Sequence, residues 1–170
     1  SSKIAKIILT NPHFKPPMTR KDLKNSTFLA EVVYESALRT SAVHLRSGST
    51  IITDAPPDNR GKGEAFSPTD LTAVSLACCM LTVLGIKAVD QSFSIDGAKA
   101  SVVKVMADNP RRIATIQIII NFPEYKFSRK EKKTIVETAV NCPVAKSLHP
   151  NIRQVVRFEF EDETLVHPEQ

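Results

Sequence analysis

Ser67-Pro-Thr-Asp-Leu-Thr-Ala-Val-Ser-Leu-Ala-Cys-Cys-Met-Leu-Thr-Val-Leu-Gly-Ile86 is the stretch around which the rest of this 170-residue chain organises. Ser67 can cap a helix, and Pro68 suits the first helical position because it has no N–H to leave unpaired. Asp70 can reach back as the acidic member of a capping box. No charge occurs from Leu71 to Ile86, which invites a membrane-span reading. The run is shorter than the roughly 20 residues a span requires, and Thr72, Ser75 and Thr82 interrupt it. A core helix continuing to about Val89 explains it better.

The flanks of this helix read differently. Upstream, Phe28, Ala30, Val32 and Tyr34 alternate with residues that include Glu31 and Glu35, as in a half-buried strand. Further strands are expected at 38–45 and 49–53, and the prolines and glycines of 55–63 mark a loop. Downstream, strands are expected near 94–107 and 112–122, joined by the turn Asp108-Asn-Pro110. Ser128 followed by Glu131 starts a second helix, with Ile135, Val136, Ala139 and Val140 as its buried stripe. Pro143 disfavours its continuation and opens a short third helix. A last strand spans 152–160. The order is βββ-α-ββ-αα-β, an α+β fold with antiparallel strands and clustered helices. Residues 1–26, rich in proline, read as an N-terminal extension, 27–162 as the domain and 163–170 as a polar tail.

Composition excludes several functions. The formal charge is +5, but the basic residues are scattered, and the chain has no Trp and two Tyr. The densest basic run, 128–133, contains Glu131 and reads as a solvated helix face rather than a nucleic-acid surface. The opening residues, 1–10, are broken by Lys6 and do not read as a signal peptide. The expected compartment is the cytoplasm, where thiols stay reduced. No membrane or nucleic-acid partner is expected.

Three cysteines are too few, and odd in number, for a disulfide framework. On a helix, Cys78 falls in line with Leu71, Val74 and Leu81 and reads as a packed core thiol. Cys79 falls in line with Thr72, Ser75, Thr82 and Ile86 and is the better candidate to face a cavity. A reactive thiolate needs a nearby cation, and Arg39 and Arg46 on the second strand are the candidates. Cys142, before Pro143, can cap the next helix. On these residues alone, three inert core thiols remain the alternative. A metal site has little support, since no CxxC or HxxxH spacing occurs, and neither a phosphate-binding loop nor a dinucleotide fingerprint is present. No cofactor is expected.

Glu64-Ala-Phe-Ser-Pro-Thr-Asp-Leu71, Ala77-Cys-Cys-Met80 and Asn141-Cys-Pro-Val144 together resemble the OsmC/Ohr family of osmotically inducible and organic hydroperoxide resistance proteins. The likeness covers about 27–160. It implies antiparallel sheets around a long central helix and an intertwined homodimer with its active sites at the subunit interface. By this resemblance Cys79 takes the place of the peroxidatic cysteine, Cys142 that of the resolving cysteine, and Arg39 that of the arginine that holds the thiolate. The hydroperoxide-reducing branch carries Glu immediately after the helix-starting proline, where this chain has Thr69. Asp70 next door and Glu64 in the loop are the carboxylates that could substitute. The implied activity is thiol-dependent reduction of alkyl or lipid hydroperoxides, with an external dithiol, dihydrolipoyl-type by resemblance, as reductant. The alternatives are a dimeric binding protein of the same fold without activity, and a thiol redox sensor.

Overall fold

A computed structural model describes residues 28–122 and 125–167. The expected extension over 1–26 lies outside the described residues. The chain builds two separate sheets. Strands β1 (Ala30–Ser36), β2 (Arg39–His44) and β3 (Thr50–Asp54) form an antiparallel sheet in that order. The register sets Arg39 opposite Asp54 and Thr40 opposite Thr53. Alternation suggested that β1 is half-buried, but all seven of its residues are exposed within one chain. Val32, Val33, Tyr34, Ile51 and Ile52 are all exposed among the described residues.

The turn from β1 to β2 is unusual. Ala37 and Leu38 both have left-handed backbones, with φ of 47° and 65°. Two consecutive positive φ values are what a tight hairpin requires, but Asn and Gly normally supply them, and L side chains there cost energy.

Helix α1 (Pro68–Gln91) starts at the capping box read from the sequence. The Asp70 N–H donates to Ser67 Oγ at 3.1 Å, and the Ser67 N–H donates to Asp70 Oδ2 at 2.8 Å. It ends where Ser92 turns left-handed. Its buried face, Ala73, Leu76, Ala77, Met80, Leu84 and Ala88, lies on the second sheet.

That sheet has the order β4 (Lys99–Asp108), β5 (Arg111–Asn121), β6 (Arg153–Glu159), β7 (Thr164–His167). Its pairings are antiparallel except β5 with β6, which is parallel. A parallel pair needs a long crossover, and α2 (Arg129–Val140) and α3 (Pro143–Ser147) provide it. Ile116, Ile118 and Ile120, two residues apart on β5, point to one face. They join Leu76, Met80 and Leu84 of α1, Ile135 and Ala139 of α2, and Val156 and Phe158 of β6 in a single core.

The C-terminal segment corrects the expectation of a tail. Residues 164–167 form β7, paired antiparallel with β6. The segment is tied down by Lys132, whose ammonium is buried beside the Phe160 ring and donates to Asp162 at 2.5 and 2.6 Å and to Glu163 at 2.8 Å. A run of polar residues carried no sign that their partner is a buried lysine thirty positions earlier.

Candidate active site

Two clusters contain the residues singled out from the sequence. The first is a pair of thiols. Cys142 is the N-cap of α3, where its Sγ accepts the Ala145 N–H at 3.4 Å, and it is almost wholly buried. Pro143 follows at the first helical position, which fixes the cap in extended backbone. Cys79, near the middle of α1, is half-buried against the same core and lies close enough to Cys142 to act on its thiol. Burial pushes the Cys142 thiol above its ordinary range. The Ala145 N–H opposes that shift, and the Cys79 sulfur beside it adds to it. All three cysteines are free thiols.

Cys78 reverses its expectation. It is exposed, on a stripe with Ser75, Thr82, Ile86 and Val89 that faces away from the sheet. The helical spacing was sound, but the four-stranded sheet takes the face of Ala73, Ala77, Met80 and Leu84. That rotation puts Cys79, on the border of the buried face, against α3 and leaves Cys78 outside.

The second cluster surrounds Arg39. Its Nε donates to Asp54 Oδ1 at 2.7 Å and its Nη2 to Asp54 Oδ2 at 2.8 Å, a two-point fork. The same Nη2 reaches Glu64 Oε2 at 2.6 Å. Asp54 is buried at the end of β3 and also accepts the Glu64 N–H at 3.0 Å. The Arg39 guanidinium holds the Asp54 carboxyl below the usual carboxylate range against the opposing effect of burial, helped by the Glu64 N–H and Lys62. The two carboxylates in turn raise the Arg39 pKa further above its already high value, Asp54 contributing most.

The loop from β3 to α1 presents Glu64 to this cluster. It closes through the Gly61 N–H on Pro56 O at 3.0 Å and the Gly63 N–H on Ala55 O at 3.2 Å. A Cβ on Gly61 would sit 1.7 Å from Ala55 O, and Gly63 holds φ +65° against Pro57.

Of the two carboxylates proposed to accompany Arg39, Glu64 does so and Asp70 does not. Asp70 caps α1 and pairs with Lys104 Nζ at 2.7 Å. Burial pushes its carboxyl up, but Lys104 and the Ser67 hydrogen bonds outweigh burial and bring it below the ordinary value. Lys104 also donates to Thr69 Oγ1 at 2.7 Å, so the hydroxyl at the variant position is tied to β4. Sequence reading missed Asp54. Only the β2–β3 register, which pairs it with Arg39, could have found it.

Among the described residues, no hydrogen bond or ion pair joins the Arg39 cluster to either thiol within one chain, and no three His, Cys, Asp or Glu side chains gather as a metal site.

The family model for OsmC-like proteins matches residues 61–156. A solved protein of Psychrobacter arcticus, assigned to osmotic stress induction and a detoxification response, is 53% identical. The match covers 79% of this chain and 97% of that one, with a TM-score of 0.76. An organic hydroperoxide resistance protein OsmC of Legionella pneumophila shares the fold at 14% identity and TM-score 0.64, over 79% of this chain and 99% of that one. The organic hydroperoxide resistance protein OhrB of Bacillus subtilis does so at 17% identity and TM-score 0.55, over 78% and 98%. No curated protein matches the sequence. With more than half its length matched by the family model and a relative more than half identical, the chain belongs to the OsmC-like protein family, which includes organic hydroperoxide resistance proteins.

Proposed function

We propose that this protein is a thiol-dependent peroxidase for organic hydroperoxides, with Cys79 as nucleophile and Cys142 as resolving thiol. The observation that carries the reading is the placement of Cys142, buried at the cap of α3, beside Cys79 on α1. The Cys79 thiolate attacks the terminal peroxide oxygen and the O–O bond breaks. The departing alkoxide takes a proton to become the alcohol, and Cys79 becomes a sulfenic acid. The Cys142 sulfur then attacks Cys79, the S–S bond forms, and the sulfenic oxygen leaves as water with the Cys142 proton. An external dithiol returns both cysteines to thiols and is itself oxidised to a disulfide. Both thiols belong to the apolar core region, with Val83 one turn beyond Cys79 and Val144 two residues after Cys142, and such surroundings favour alkyl or lipid hydroperoxides over hydrogen peroxide.

In this reading Arg39 acts across a subunit boundary. Its sheet exposes Val32, Val33, Tyr34, Ile51 and Ile52, and α1 exposes Ile86 and Val89, apolar side chains of the kind that mark an interaction surface when they cluster. A second copy covers both surfaces and brings its Arg39 cluster to the Cys79 of the first. Asp54 holds the guanidinium, and the exposed Glu64 is the carboxylate that yields when Arg39 turns to the thiolate.

The test is turnover of cumene hydroperoxide with a dithiol reductant. Wild type consumes it, Cys79→Ser does not, and consumption of hydrogen peroxide is slower. Equal turnover by Cys79→Ser contradicts the reading. No turnover by wild type favours a binding protein of the same fold.

A further inference from the structure

A second cleft, away from the thiols, has the walls of a ligand site. It lies where the β4–β5 turn and the start of β5 meet the segment leading into β6, beside the first turn of α1. Its volume is about 700 Å³, and Thr69, Pro110, Arg112, Ile113, His149 and Ile152 are among its walls. Thr69 is ten positions before Cys79 on α1, or about 15 Å at the rise of a helix. The cleft therefore lies away from the thiol pair of its own chain.

Its charge is one-sided. The ionisable side chains lining it are Arg112 and His149, with no carboxylate among them. The nearby Asp70 is already taken by Lys104 and the Ser67 N–H. Arg112 uses only Nη1, which donates to the Ile113 and Asn151 carbonyls at 3.2 and 3.4 Å. These bonds hold the guanidinium in place and leave its Nε and Nη2 without a partner among the described residues. His149 Nδ1 accepts the Asn151 N–H at 3.1 Å, which puts the proton of the neutral ring on Nε2 and makes that atom a second donor. Pro110, Ile113 and Ile152 supply apolar wall beside these donors.

We infer that this cleft binds a small organic carboxylate with a hydrocarbon body, its carboxylate on the free edge of Arg112 and on His149, and its chain along Ile113 and Ile152. A planar guanidinium edge matches a carboxylate in two-point fashion. The volume lies within the range of small-molecule sites, which combine apolar walls with a few placed polar groups. The inference does not depend on the thiol chemistry.

Octanoate is the probe, followed by amide chemical shifts on the full chain, with octanol and inorganic phosphate as comparisons. Saturable octanoate shifts confined to residues near 69, 110–113 and 149–152 are expected, with octanol and phosphate each at least about tenfold weaker. Arg112→Gln should weaken octanoate about tenfold or more, while Arg111→Gln, which removes an exposed partner of Asp58, leaves it unchanged. Arg112→Lys keeps the charge without the fork and guards against a glutamine variant that does not fold; it should bind several-fold more weakly. Octanol binding as well as octanoate, shifts elsewhere, or binding indifferent to both Arg112 variants would overturn the inference.

Discussion

Arg39 and Asp54 face each other across the β2–β3 ladder with two nitrogens on two oxygens, at 2.7 and 2.8 Å. The arginine is thereby fixed by a buried carboxylate from its own sheet, while the exposed Glu64 takes only one of its nitrogens. One partner holds the guanidinium; the other can be displaced.

Asp54→Asn should therefore lower the hydroperoxide rate more than Glu64→Gln does, by about tenfold or more, because it removes the fork that orients the charge. The acid limb of stability should move as well. The folded Asp54 pKa is depressed, so its stabilisation is present above the unfolded value near 4 and is lost as pH falls below it. Acid unfolding followed by circular dichroism should show a shallower fall below about pH 4 in Asp54→Asn than in wild type.

The left-handed Ala37 and Leu38 directly precede Arg39. Replacing them by Asn and Gly, which accept these angles, should raise stability by about 1–2 kcal/mol in urea unfolding. If the stiff turn also aims Arg39, the same variant loses hydroperoxide turnover while gaining stability. A variant less stable than wild type would contradict the strain.

Gly61 and Gly63 close the loop that carries Glu64. Gly61→Ala should be the more damaging substitution, since its Cβ would meet the Ala55 backbone and the loop would have to shift. Loss of protection of the Glu64 amide in hydrogen exchange, with the α1 core unchanged, is the expected signature.

Lys132 anchors β7 through Asp162 and Glu163. Lys132→Met should leave both acids unpaired and speed hydrogen exchange across Thr164–His167 about tenfold or more, with β5 unaffected. Unaltered exchange in β7 would show that strand pairing alone holds it.

Local signals were legible in the sequence and long-range ones were not. Ser67 with Asp70 and Ser128 with Glu131 appear as complete capping boxes because both partners lie within one turn. Cys142 at the cap of α3 was legible for the same reason. The pairing of Arg39 with Asp54 depends on strand register, and that of Lys132 with Asp162 on the fold's closure. Neither leaves a trace in spacing. Periodicity put Cys78 and Cys79 on different stripes, yet which face of α1 turns inward depends on the sheet it meets, so Cys78, expected in the core, is exposed within one chain, on the stripe of Ser75, Thr82 and Ile86.

The central claim, that Cys79 and Cys142 form one redox pair with Cys78 a bystander, is tested most directly by mass-mapping the thiols after one equivalent of cumene hydroperoxide. The account predicts a Cys79–Cys142 disulfide in wild type, a Cys78 that is still a free thiol when alkylated after denaturation, and a dimedone-trapped sulfenic acid on Cys79 in Cys142→Ser. Three free thiols after oxidant, or a disulfide that includes Cys78, would contradict it.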